Sequence, residues 1–148
     1  MTSNRDRPLV LYAYAESENA RENLAFFIEK GLNARADFIF IFNGESAATE
    51  LIPKLDNVQL VQRDNSCFDL GAIGQVLAKD GLWTKYKRFI TMNASIRGPF
   101  LPMYSEACWM DVFFDYITDH VKVRRGFFSQ FLSTILSRLA LCYMLSWH

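Results

Sequence analysis

The chain has 148 residues, of which 51% are apolar and 15% aromatic, enough for one domain with a sizeable core and too apolar for wholesale disorder. Lysine and arginine number 16 and are balanced by 16 aspartates and glutamates, which argues against a nucleic-acid binder held by phosphate contacts. Three cysteines, Cys67, Cys108 and Cys142, are too few and too dispersed for a disulfide framework or a zinc site. The segment before Leu9 is polar and has no apolar run, so neither a secretion signal nor an N-terminal anchor is expected there, and the compartment stays open.

Leu9 to Ala15 is a short, near-continuous apolar run, the pattern of a central strand covered on both faces. Glu16 to Asn19 supplies helix-start chemistry, with Asn19 and Glu22 at the spacing of a capping box. Leu24, Phe27, Ile28 and Leu32 then share one helical face, and Gly31 sits where the helix should stop. Asp37 to Phe42 is the strongest strand signal, ended by Asn43-Gly44. A weak helix follows over Ser46 to Leu51, then a third strand over Val58 to Gln62. Asp69 to Lys79 reads as a helix with Leu70, Ile73 and Leu77 on one face and Gly81 as its stop. Arg88 to Met92 reads as a buried fourth strand, broken by Asn93-Ala94-Ser95 and then by Gly98-Pro99.

Four alternating strands and helices predict an α/β fold with a Rossmann-like, mostly parallel sheet and right-handed crossovers. The common doubly wound arrangement would order the strands 3-2-1-4 and place a ligand crevice beyond the carboxyl ends of strands one and four. Three loops then converge: Tyr14 to Ser17, Arg63 to Gly71, and Asn93 to Gly98. The second is dense in hydrogen-bonding groups. Asp69 within it has two readings, a helix N-cap or an acceptor for ligand hydroxyls and base edges, and Gly71 would permit close backbone approach. No Gly-x-Gly-x-x-Gly follows the first strand and no Gly-Lys-Ser or Gly-Lys-Thr occurs, which weighs against dinucleotide oxidoreductases and P-loop nucleotide hydrolases.

The pairing of Asp64-Asn65-x-x-x-Asp69-x-Gly71 with Asn93-x-Ser95-x-x-Gly98-Pro99 resembles the nucleotide-sugar-dependent glycosyltransferases of GT-A fold, nearest the rhamnan-synthesis-F-like group and its uncharacterised eukaryotic relatives. The resemblance spans roughly Leu9 to Phe114. It implies a GT-A-like N-terminal half, a nucleotide-sugar donor and a glycan or protein acceptor, in a Golgi or membrane-associated setting. It also implies that Asp69 contacts the donor nucleoside and that Asn93 and Ser95 occupy the place of a metal-binding Asp-x-Asp motif. Cys67 stands where that family has glycine, and Ala94 where it has an acidic residue. With no carboxylate in Asn93-Ala94-Ser95, a divalent Mn²⁺ or Mg²⁺ would bind weakly or not at all, so no metal ligand is assigned. Arg97 is the candidate to neutralise diphosphate charge. The donor-binding set is therefore Asp64, Asn65, Asp69, Gly71, Asn93, Ser95, Arg97 and Asp111. Any catalytic residue is left unassigned.

Asp111 belongs to a stripe with Asp115 and Asp119, for which a solvated helix face is the plainer reading. His120 has no nucleophile in reach of its segment, so a hydrolase triad lacks support. Residues 1–121 read as the nucleotide-sugar-binding domain. Residues 122–148 read as an amphipathic C-terminal helix, with Phe127, Phe131, Ile135, Leu139 and Cys142 on one face, lying on a membrane surface or covering the sheet. The texture changes at Lys122, and nothing after it resembles the acceptor half of the family. An incomplete enzyme is expected on that ground, and translated intron sequence is one origin for the tail. The alternative to a donor-binding protein is a non-catalytic α/β module that takes a small anion or a protein partner in the same crevice.

Overall fold

A computed structural model describes residues 6–102, 104–115 and 117. The expected C-terminal helix over 122–148, together with Asp119 and His120, lies outside the described residues. Four strands, β1 (Leu9–Ala15), β2 (Asp37–Asn43), β3 (Val58–Arg63) and β4 (Phe89–Asn93), form one sheet in the order β3-β2-β1-β4. Every pairing is parallel. Helices α1 (Glu18–Lys30), α2 (Phe68–Ala78) and α3 (Trp109–Phe114) complete the architecture, with 3-10 turns over Ala47–Leu51 and Lys79–Thr84. This is the α/β fold and the strand order expected from the alternation of elements.

The two central strands have no solvent-facing side. Val10, Tyr12 and Tyr14 of β1 join Phe38, Phe40 and Phe42 of β2 in one apolar cluster with Leu24 and Phe27 of α1 and Trp109 of α3. Leu9, Leu11 and Ala13 join Ile39 and Ile41 in a second cluster with Ala72, Ile73 and Val76 of α2. Alternation along a strand sends successive side chains to opposite faces, so α1 and α3 cover one face and α2 the other. The face of α2 is therefore Ala72, Ile73 and Val76 rather than one centred on Leu70 and Leu77, although Leu77 packs at its margin. β4 is half-buried rather than buried, because it has β1 on one side only.

Several boundaries move for identifiable reasons. Ser17, not Asn19, caps α1: its Oγ accepts from the Ala20 N–H at 3.1 Å, so the helix starts two residues earlier than the capping-box spacing indicated. Asp69 is not a helix cap. The cap position of α2 is Cys67, which makes no side-chain cap and has φ 65°, and Phe68 follows at φ 50°. A glycine would take the first of these without strain, and here cysteine takes it. At the end of α2 the helix stops at Ala78, and Gly81 lies within the following turn at φ 61°. Gly31 does stand at the end of α1, in a right-handed rather than left-handed conformation, and what requires glycine there is space: a Cβ would meet the Phe27 ring.

The amino end of the sheet is closed by an ionic cluster. Buried Asp37 pairs with Arg7 at 3.3 Å and accepts a hydrogen bond from the Tyr86 hydroxyl at 2.9 Å. Arg7 also donates to the carbonyls of Ala34 and Ala36. Burial, followed by the bond to Asp37, pushes the Tyr86 hydroxyl up to about 12. The Tyr12 hydroxyl is buried without a hydrogen-bond partner, and burial raises its pKa as well. These two tyrosines should respond oppositely to loss of oxygen. Tyr86→Phe strips a buried carboxylate of one donor and is expected to cost about 1–2 kcal/mol, whereas Tyr12→Phe removes an unmatched polar group and should be neutral or stabilising. Urea unfolding of the two variants beside wild type measures both.

Candidate functional site

A crevice of about 340 Å³ opens at the carboxyl ends of β1 and β4, lined by Ala13, Ala15, Glu16, Ser17, Asn19, Ala20, Asp69, Ala94 and Ser95. It lies at the point where the strand order reverses, the usual position for a ligand in an open parallel sheet. All three loops expected to converge contribute to it.

Asp69 is held from both sides. Its Oδ2 accepts from Asn93 Nδ2 at 2.9 Å, and its Oδ1 faces Asn43 Nδ2 at 3.5 Å. The carboxylate thus joins α2 to the ends of β4 and β2. Asn93 is spent in two directions, because its Oδ1 accepts from the Ser95 N–H at 3.3 Å and shapes the turn. Between them Ala94 is 3% exposed and packs in the α1-side cluster. Its N–H donates to the Ala13 carbonyl and its own carbonyl accepts from the buried Asn23 amide at 2.8 Å. The place where the resembled family carries an acid is therefore an apolar, fully engaged position, and a carboxylate there would be buried among hydrocarbon.

Glu16, which the sequence marked only as a helix-start residue, lines the crevice. Its carboxylate accepts from the Ser46 hydroxyl, from Tyr14 Oη at 3.1 Å and from Arg21 Nε at 3.2 Å. These contacts, the Ser46 hydroxyl first, hold its pKa below the ordinary glutamate range. On the other side of the sheet end, Arg63 donates to Asn43 Oδ1 at 2.8 Å, to the Ser66 carbonyl and hydroxyl, and to Gln75 Oε1 at 2.6 Å. Desolvation lowers the Arg63 pKa, the Asp64 charge opposing.

The eight expected donor-binding residues divide. Asp69 and Ser95 line the crevice, and Asn93, which does not line it, donates to Asp69 at its edge. Asp64 and Asn65 lie exposed on the loop after β3, and Gly71 sits in the first turn of α2, its N–H donating to the Cys67 carbonyl. None of these three lines the cavity. Arg97 turns away from it: the guanidinium lies over the Phe26 ring at 5.2 Å and 4.0 Å from Glu22, both on α1. Asp111 pairs with Arg35 at 2.7 Å, beside the amino end of β2 and so at the opposite pole of the sheet. Residues that sequence reasoning left out are Glu16, Asn43, Arg63 and Gln75. A carboxylate directly after a central strand was the available signal for Glu16, whereas the others are identified only by their partners in space. Among the described residues no cluster of three or more His, Cys, Asp or Glu side chains is placed to hold a metal ion.

A parallel α/β sheet with a polar crevice at its switch point is a ligand-binding architecture. No protein-family model matches the chain, and neither does any curated protein or solved structure.

Ser46 ties the Glu16 carboxylate to the turn after β2, and this gives a pH signature. A depressed carboxylate stabilises the fold above its unfolded pKa and loses that contribution as pH falls through its folded value. In Ser46→Ala the Glu16 titration midpoint should move up toward the ordinary range, read by NMR of the side-chain carboxyl. The stability gap between wild type and Ser46→Ala should narrow as the pH falls through that range.

Proposed function

We propose that this chain binds a nucleotide-sugar donor in the crevice between β1 and β4, as the donor-binding portion of a GT-A-type glycosyltransferase. The observation that carries the reading is the 2.9 Å contact between Asn93 and Asp69. It joins the two motifs of the resemblance, which are 24 residues apart in the chain, at the mouth of the sheet. The expected strand order supports it independently, since that order puts a crevice between the first and fourth strands.

The lining also bears on which ligand fits. Glu16 and Asp69 contribute carboxylates, Ser17 and Ser95 hydroxyls, and Asn19 an amide, while no lysine or arginine is among the described residues of the lining. An acceptor-rich pocket favours a ligand that presents hydroxyl and N–H donors, such as a ribose, a base edge or a sugar. It disfavours a small anion, one of the two occupants in the alternative expectation, and does not bear on the other, a protein partner. Arg97, held against Phe26 and Glu22, would have to leave α1 to reach a diphosphate seated in this crevice.

Asp69→Asn is the direct test. The amide retains the shape of the carboxylate but replaces its charge-assisted hydrogen bonds, and affinity should fall by about 1.5–3 kcal/mol in a folded variant. Calorimetry with UDP, GDP and TDP derivatives measures it, and unchanged affinity would remove Asp69 from the site.

Metal dependence separates this crevice from the Asp-x-Asp type. Ala94 is buried and the flanking residues are uncharged, so the turn itself offers a hard cation none of the carboxylates it prefers. Donor affinity is expected to be the same in EDTA as in millimolar Mn²⁺. Binding that disappears with the chelator and returns with the metal would assign Glu16 and Asp69 to an ion instead.

A further inference from the structure

Arg63 makes four side-chain hydrogen bonds and touches no part of the crevice lining. We propose that it is a positioning residue for Asp69, acting through the Asn43 amide; this rests on the reading of Asp69 as a donor contact. The chemistry leaves one orientation open. A guanidinium carries only donors, so the side of Asn43 that faces it must be the oxygen. Arg63 Nη1 takes that oxygen at 2.8 Å, and the Asn43 NH2 is thereby turned toward Asp69 Oδ1 at 3.5 Å. Were the amide rotated by half a turn, its NH2 would oppose the guanidinium and its oxygen would oppose the carboxylate. Both contacts would be repulsive. Arg63 therefore fixes the sense of the amide even though the second contact is long.

Asn43 is 6% exposed, which leaves it little room to reorient. From the other side Asn93 donates to Oδ2, so the carboxylate is held between two strand ends before any ligand arrives. Arg63 is itself anchored by Ser66 on the loop and by Gln75 on α2, the helix that carries Asp69. One side chain thus sets the amide and the helix that together aim the carboxylate. An acceptor whose direction is fixed in advance spares the ligand the ordering cost of fixing it.

The test uses the full 148-residue chain and has two arms. Arg63→Lys keeps the charge but replaces the fork with one ammonium, which cannot span Asn43, Ser66 and Gln75 together. Without ligand, NMR of the Asn43 side-chain NH2 should show solvent exchange that rises at least about tenfold in this variant, as a freed amide requires. Unchanged exchange overturns the proposal whether or not any nucleotide binds. The second arm is calorimetry with UDP, GDP and TDP. Arg63→Lys should weaken binding by about tenfold, and Asn43→Asp, which keeps the acceptor for Arg63 but loses the donor toward Asp69, should do the same. Neither should add to the loss already present in Asp69→Asn. Additive losses, or a thermal destabilisation with full affinity, would make Arg63 a purely structural residue and overturn the proposal. A wild-type chain that binds none of the three nucleotides refutes the donor reading alone, and amide exchange then decides on Arg63. Should Arg63→Lys fail to fold, Arg63→Gln replaces it in both arms.

Discussion

The burial of β1 and β2 on both faces is the constraint from which the rest of this structure follows. Leu9 to Tyr14 and Asp37 to Asn43 are all buried, so these strands have no side on which a polar side chain could reach water. The exceptions stand at the strand ends, where Asp37 opens β2 and Asn43 closes it. Apart from the unpartnered Tyr12 hydroxyl, the polar side chains of these two strands stand at or near the poles of the sheet, where they can find partners or solvent. At the amino pole the groups face one another: Asp37 takes both the Arg7 guanidinium and the Tyr86 hydroxyl, although Arg7 Nε is buried without a partner. At the carboxyl pole the strands splay into loops, and the corresponding groups line a cavity instead.

That difference between the poles explains why the same residue types play unlike parts. Asp37 and Asp69 are both hydrogen-bonded carboxylates near strand ends, yet one is 3% exposed and paired with an arginine, while the other is reached from the crevice and faces amides. Neutral amide donors hold a carboxylate in place without cancelling its charge. An arginine in direct contact would have cancelled it and occupied the geometry a ligand needs. Placing Arg63 behind Asn43 keeps its anchoring function and leaves the Asp69 carboxylate without a direct ion pair to Arg63.

Much of the fold was legible because hydrophobic alternation and turn residues act locally. The four strands, both long helices and the order of the sheet follow from apolar runs, from Gly31 and Asn43-Gly44 as stops, and from the preference for right-handed crossovers. The cap of α1 was misplaced because Ser17 and Asn19 are both capping residues and only backbone geometry chooses between them. Asp69, Asn93 and Ser95 stand at the start of a helix, the end of a strand and the turn after it, and such element ends are readable from sequence. Asn43 and Arg63 owe their roles to partners 20 or more residues away, which no local pattern records, whereas Glu16 had a local signal in its place directly after β1. Arg97 and Asp111 show the converse. Each sits in a segment with the right texture, and each is drawn off by an ordinary neighbour, Phe26 and Glu22 for one and Arg35 for the other.

The Trp109 indole N–H donates to the Gly31 carbonyl at 2.9 Å, and its ring stands edge-on to Phe27. With 13 residues, α1 is a rod of about 20 Å whose far tip, through Ser17, Asn19 and Ala20, is the rim of the crevice. One helix thus has two duties: its carboxyl end is the anchorage of α3, and its amino end is a wall of the crevice.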